Sequence, residues 1–248
     1  MSAVSELVDY VTTGANWEGA NGIPTLLSQH VRLSAFSVVV AAVITVPAAV
    51  ALGHVHRGGF VAVSVVNIGR AIPTFAIIAL LFPLSLRYQW ELGFWPTAVA
   101  LVLLAIPPIF TNSYTGVRDV DAGVVESARA MGLRPRQLVL GVEVPNALPL
   151  ILTGLRVSAV QVVATATLSA LVGYRSLGTL IINGFQQQDD GKLLTGAVLV
   201  AVLAILTELA FGVVERRSAP WLRRGGRRPA DGLDLPSTAA PDPASAIT

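Results

Sequence analysis

Five apolar blocks, each about twenty residues long or longer, decide what this chain can fold into, because about twenty apolar residues in a helix match the hydrocarbon thickness of a bilayer. They run from Leu33 to Leu52, Phe60 to Leu86, Pro96 to Val117, Leu148 to Val172 and Leu193 to Val214. Of the 248 residues 53% are hydrophobic and only 13% charged, against about 25% charged in ordinary soluble domains. That is more apolar surface than a soluble globule buries. In hydrocarbon every backbone N–H and C=O needs an internal partner, so blocks of this length predict helices. The expected fold is all-α and integral to a membrane, with five transmembrane helices, or six if the second block divides. Arg70 and Pro73 interrupt that block. One helix kinked at Pro73 is the simpler reading, since neighbouring groups satisfy the carbonyl that a proline frees.

Composition along the chain predicts three regions. Residues 1–30 are polar and mixed, an extracytoplasmic segment with one surface helix and with Tyr10 and Trp17 as interfacial anchors. Their acidic residues and their lack of Lys or Arg before residue 32 do not match a cleavable signal peptide. Residues 31–215 form the membrane domain. Residues 216–248 begin with basic runs and continue as a Pro/Ala-rich stretch without apolar periodicity, expected to be a disordered cytoplasmic tail. Arginines crowd the loop after the third block (Arg118, Arg129, Arg134, Arg136) and the region after the fifth (Arg216, Arg217, Arg223, Arg224). The opposite loops carry only Arg32, Arg87, Arg175 and Lys192. The positive-inside rule therefore places the N-terminus outside and the C-terminus inside. Basic residues at block ends, rather than along one stripe, argue for topology and against nucleic acid. With no cysteine, and with His54 and His56 facing different sides of a helix without a third ligand, no metal site is expected.

One charged stretch stands out inside the apolar pattern, Val125 to Pro145, V-E-S-A-R-A-M-G-L-R-P-R-Q-L-V-L-G-V-E-V-P. Asp121 is its N-cap, and Val124, Ala128 and Met131 fall on one helical face. Gly132 supplies a left-handed stop and Pro135 opens a second short helix. The prediction is a helix-turn-helix elbow over residues 121–146, shaped to dock on another protein.

The elbow resembles the E-A-A-x-x-x-G-x9-I-x-L-P loop of permease subunits from bacterial ABC importers. Glu126, Ser127, Ala128, Gly132, Val142, Val144 and Pro145 occupy its defined positions, with Ser127 at the second and smaller aliphatics in place of Ile and Leu. Further similarity runs over roughly residues 30 to 215. The stretches A-I-P-T-F-A-I-I-A-L-L-F-P-L, A-I-P-P-I-F-T-N-S-Y-T-G-V-R-D-V-D and A-T-A-T-L-S-A-L-V-G-Y-R-S-L-G are similar to permeases for glycine betaine, carnitine and choline. The resemblance implies a type I ABC importer permease fold, an osmoprotectant as cargo and a multi-pass location in the bacterial cytoplasmic membrane. It also implies ABC ATPase subunits docking on the elbow, a second permease subunit and an extracytoplasmic substrate-binding protein. The chain has no G-x-x-x-x-G-K-[ST]. ATP and Mg are thus expected on the partner ATPase, with no cofactor or catalytic residue here. The binding protein is expected to be a separate chain. An amino acid or another small solute is the alternative cargo. A stand-alone secondary transporter is the more distant one, disfavoured because no internal repeat is evident.

Polar groups inside the blocks complete the picture. Ionisable groups at bilayer depth cost about 2.5 to 3.5 kcal/mol on insertion scales. Arg156 and Glu208 fall at similar depths of the fourth and fifth blocks and are expected to pair. Asn67, Arg70, Thr111, Asn112, Gln161, Thr165 and Thr167 are candidates for lining a translocation pathway, although helix-helix hydrogen bonds use the same residue types.

Overall fold

A computed structural model of the chain describes residues 3–56, 63–64, 66, 69, 71–89, 91 and 93–218. The elements are α1 (Ala3–Thr12), a 3-10 turn (Gly14–Trp17), α2 (Ile23–Val55), α3 (Thr74–Arg87), α4 (Phe94–Arg118), α5 (Ala122–Ala130), α6 (Pro135–Leu138), a π turn (Val139–Glu143), α7 (Val144–Thr165), a 3-10 segment (Ala166–Val172), α8 (Leu177–Gln187) and α9 (Asp190–Ser218). Among the described residues there is no strand. Four helical runs are long and apolar enough to cross a membrane: α2, α4, Pro135–Val172 and α9; α3 is a shorter apolar helix.

Local chemistry explains most boundaries, and three differ from expectation. The first long helix starts at Ile23, not Leu33, because Gly22 is an extended N-cap and Pro24 sits in the first turn, where its missing N–H costs nothing. Ser28, Gln29 and Arg32 end the hydropathy window without ending the helix. The second block is not one kinked span. The chain turns at residues 71–73, and Pro73 is the extended N-cap of α3. A residue before proline is pushed out of the helical region, which favours a break there over a kink. At 14 residues, α3 is about 21 Å long, short of the roughly 30 Å of hydrocarbon. The third difference concerns the elbow, whose second helix is no separate hairpin arm: Pro135–Val172 is one helical run of 38 residues.

The core is a triple packing of α2, α4 and α7. Leu33 and Ala41 meet Ala98, Leu101, Ala105 and Ile109, and Val162 and Ala166 close the third side. Nearer the elbow, Val50, Val117, Ala147 and Ile151 repeat the arrangement. Lipid tails are as apolar as these side chains, so hydrophobicity alone does not draw the helices together; close approach and polar pins do. A Cβ on Gly154 would lie 2.9 Å from both the Pro108 carbonyl oxygen and Asn112 Cβ, so α4 and α7 touch there only because residue 154 has no side chain. Two pins cross the core. Fully buried His30 donates Nε2–H to the Val163 carbonyl at 2.9 Å, and Ser158 Oγ donates to the Ala105 carbonyl at 3.0 Å.

The expected neighbours Arg156 and Glu208 do meet. Arg156 Nε lies 3.3 Å from Glu208 Oε1, and its Nη1 lies 3.0 Å from Glu215 Oε2. Thr153, one turn earlier on α7, donates to Glu215 Oε1 at 3.4 Å. Glu208 and Glu215 are two turns apart on one face of α9, so a single guanidinium spans both carboxylates.

Two measurements test this packing. Gly154→Ala should lower stability by about 1 to 3 kcal/mol through overpacking, whereas Gly141→Ala, whose Cβ meets nothing within 4 Å, should leave it unchanged; thermal unfolding in detergent reads both. Arg156→Ala, leaving two carboxylates uncompensated at the membrane end of α9, should cost roughly 1 to 3 kcal/mol. Adding Glu208→Gln and Glu215→Gln to it should recover part of that loss in the same unfolding measurement.

Candidate functional site

The elbow begins where α4 ends. Asp121 Oδ1 accepts the Val124 N–H at 3.0 Å, the N-cap bond expected of that residue. The other end of α5 closes with a pair of bonds, Gly132 N–H to the Arg129 carbonyl at 2.9 Å and Leu133 N–H to the Ala128 carbonyl at 3.3 Å. Together these form a Schellman motif. Gly132 has φ +84°, a conformation that costs a non-glycine residue roughly 1 to 2 kcal/mol. Arg134 then starts α6, its N–H donating to Gln137 Oε1 at 2.9 Å.

Exposure divides the motif. Glu126, Ser127 and Gly132 face outward, Ala128 is buried, and Val142, Val144 and Pro145 are half-buried. The apolar face predicted from Val124, Ala128 and Met131 does not act as one face. Ala128 turns inward where α5 packs on α6 and the π turn, while Val124 is 47% and Met131 74% exposed. Glu126 makes no ion pair with Arg129. A small buried side chain thus holds α5 down, and exposed Glu126 and Arg129 with Val124 and Met131 leave a mixed charged and apolar surface outward.

The π turn is also explained by sequence. Pro145 has no N–H to give to the Gly141 carbonyl, and just before it the Val144 N–H reaches back five residues to Val139. Its last residue, Glu143, is 1% exposed and was not singled out by sequence reasoning. His54, in the last turn of α2, donates Nδ1–H to Oε1 and Oε2 of Glu143, each at 2.9 Å. In the sequence His54 stands out only as half of a histidine pair without a third metal ligand. A buried acid beside a proline was the available signal for Glu143, but its partner lies 89 positions away.

The pathway candidates are scattered by comparison. Asn112 Nδ2 donates to the Pro108 carbonyl at 2.8 Å and Thr167 Oγ1 to the Ala164 carbonyl at 2.9 Å, both local helical bonds. Thr111 Oγ1 is buried without a partner. Gln161 is exposed and Thr165 half-buried one turn on, along the same side of α7 as exposed Val157. Asn67 and Arg70 lie outside the described residues, as does the tail from residue 219.

At the opposite end of the bundle, Phe94 is buried among Phe36, Trp95 and Tyr174, with ring centroids 5.4 to 5.5 Å from its own. Arg32 lies over the Phe94 ring at 5.6 Å. These rings pack on each other, and Arg32 is the cation held against them. Beyond them, Glu6, Asp9, Asp189 and Asp190 line an open cavity of about 510 Å³ between α1 and the start of α9. Burial there, with Asp189 adding to it, pushes the Tyr10 hydroxyl above its ordinary value.

Comparison with known proteins agrees with this architecture. The family model described as "Binding-protein-dependent transport system inner membrane component" matches residues 43–220. The "Carnitine transport permease protein OpuCB" of Listeria monocytogenes is 35% identical over 80% of this chain and 89% of the relative. The "Choline transport system permease protein OpuBB" of Bacillus subtilis (strain 168) is 33% identical over 77% of this chain and 86% of the relative. Among solved structures, the MetNI methionine ABC transporter in an inward-facing conformation aligns with TM-score 0.66 at 24% identity, covering 77% of this chain and 93% of that one. An amino acid ABC transporter aligns with TM-score 0.66 at 17% identity, covering 88% of this chain and 99% of the other. With its long apolar helices, its elbow and these relatives together, the chain belongs to the family of inner membrane components of binding-protein-dependent transport systems, as a multi-pass permease subunit with the ABC importer fold.

Proposed function

We propose that this permease carries glycine betaine, choline, carnitine or a close osmoprotectant relative across the bacterial cytoplasmic membrane, driven by ATP that separate ABC ATPase subunits hydrolyse. The observation that carries the cargo is the 35% identity over 80% of the chain to a carnitine permease. ATP and Mg are held by the ATPase and not by this chain. An extracytoplasmic binding protein delivers solute at the end of the bundle where α1, α8 and the start of α9 meet, and the acidic cavity there favours a partner with basic rim residues. A second permease subunit, of this chain or a related one, closes the side of the path that one bundle leaves open.

In this reading the elbow is the joint. Glu126 and Ser127 present polar groups to the ATPase beside the exposed Val124 and Met131, and Ala128 keeps α5 seated. Gly132 sets the angle between the elbow helices, and Val142, Val144 and Pro145 anchor the joint to α7. Asn67, Arg70, Thr111, Asn112, Gln161, Thr165 and Thr167 are proposed for the path, with Gln161, exposed on α7, supported most directly and half-buried Thr165 one turn on.

Reconstituted with its ATPase and binding protein in liposomes, the complex should accumulate labelled glycine betaine, choline or carnitine only when ATP is present. Its ATP hydrolysis should rise when solute-loaded binding protein is added. Uptake by the permease alone without ATP would overturn the mechanism, and uptake confined to an amino acid would overturn the cargo. Gly132→Val should reach the membrane at wild-type level yet lose stimulated ATP hydrolysis. Nothing lies within 4 Å of its Cβ position, so the φ requirement, which a β-branched residue meets poorly, carries the effect rather than a Cβ clash, and intact stimulation in that variant would remove Gly132 from the joint.

A further inference from the structure

The buried pair His54–Glu143 lies outside the elbow motif, since Glu143 occupies the unspecified position between Val142 and Val144. Its geometry is nonetheless more constrained than that of any motif residue. Both carboxylate oxygens sit 2.9 Å from His54 Nδ1, with the carboxylate 1% and the imidazole 22% exposed. The surroundings are aliphatic. Val46, Pro47, Val50, Ala51, Val139 and Val144 line the groove on which His54 opens. The other ionisable groups nearby are Arg136 on the groove rim, His56, whose Nδ1–H donates to the His54 carbonyl at 2.9 Å, and Tyr114 and Arg118 at the end of α4.

The position of the pair gives it a mechanical meaning. Helix α5 packs on α6 and on the π turn, and the π turn in turn touches α2. A force applied to α5 from outside the membrane domain therefore reaches α7 through continuous helix, and reaches α2 through the side chains that pack it on α7 and on the π turn. The π turn is the wide, weakly bonded segment of that route. His54–Glu143 is the polar contact that bridges it. Glu143, 1% exposed, is held by His54 through both oxygens, and losing that contact would leave a buried carboxylate unpaired, which favours a contact that is either made or broken.

We propose that His54 and Glu143 are positioning residues that latch the elbow to α2, so that displacement of the elbow moves α2 and α7 as one body. The latch rests on the ATP-driven reading for its purpose but not for its detection. The chain contains no cysteine, so Val55→Cys and Ala130→Cys, both at exposed positions, place two spin labels on α2 and α5 when the chain is labelled before assembly with its partners. Measured in the complete transporter in nanodiscs, the otherwise wild-type chain should give one narrow distance distribution. Glu143→Gln should broaden it and raise the ATP consumed per solute transported by about fivefold or more, the low end of usual coupling between sites. The reciprocal exchange His54→Glu with Glu143→His, which restores the same two groups on opposite elements, should narrow the distribution and bring the stoichiometry back.

A pair that only stabilises the fold would lower yield and melting temperature without changing width or stoichiometry, and that result overturns the latch. So does an exchange variant that folds and stays broad. If Glu143→Gln does not fold, His54→Gln on the half-exposed partner carries the same measurement. A wild-type complex whose ATP hydrolysis is unrelated to uptake would instead overturn the ATP-driven reading, and the distance distributions would still decide the latch.

Discussion

Everything in this bundle depends on how closely α4 and α7 approach. In hydrocarbon the helices gain nothing by hiding leucines from lipid, so the contact must come from backbones drawn near and from hydrogen bonds that lipid cannot replace. Gly154 against Pro108 and Asn112, and Gly116 against Ala147 and Leu150, supply the first. Ser158 to Ala105 supplies the second, and His30 to Val163 pins α2 onto the closed pair. With that seam closed, α2 has a fixed groove to occupy, and its last turn arrives beside Glu143. The outermost long helix, α9, is by contrast mostly exposed. It is held to the seam at the elbow end by one arginine between two glutamates.

Features written locally in the chain were legible from it. The N-cap at Asp121, the left-handed stop at Gly132 and the helix start at Pro135 each follow from one residue's own backbone preferences, and each appears where the sequence puts it. Arg156 and Glu208 could be matched because charges are rare in apolar blocks and depth along a helix can be counted. Glu215 was missed because it lies near the end of α9, where a charge raises no question. The early start of α2 was masked by a hydropathy window, which reports the solvent around a helix and not the helix itself. The break at Pro73 was read as a kink because proline permits both, and only the packing of α3 on α4 distinguishes them. His54 and Glu143 each look ordinary alone; their meaning lies in a contact between distant segments that no spacing rule encodes.

The elbow shows how a short motif can serve two masters. Its residues alternate between seating the helix and offering a surface, so Ala128 and Val124 do opposite things although they sit one turn apart. Substitution at Ser127 is tolerable in this light, because that side chain points away from the bundle and meets no neighbour that a methyl would have filled. Smaller aliphatics at Val142 and Val144 fall on the half-buried side, where volume matters more, and there the π turn and the imidazole of His54 occupy the space.

The uninterrupted run from Pro135 to Val172 holds 38 residues and is therefore about 57 Å from end to end at 1.5 Å per residue. Such a rod is a lever whose handle is the elbow end and whose tip, near Gly173, lies at the opposite end of the bundle. A tilt of about 5° pivoting at the handle moves the tip by about 5 Å, roughly one helical turn. With the 3-10 segment forming that tip and α8 following it directly, a small tilt at the elbow is amplified to several ångströms at the far end of the bundle.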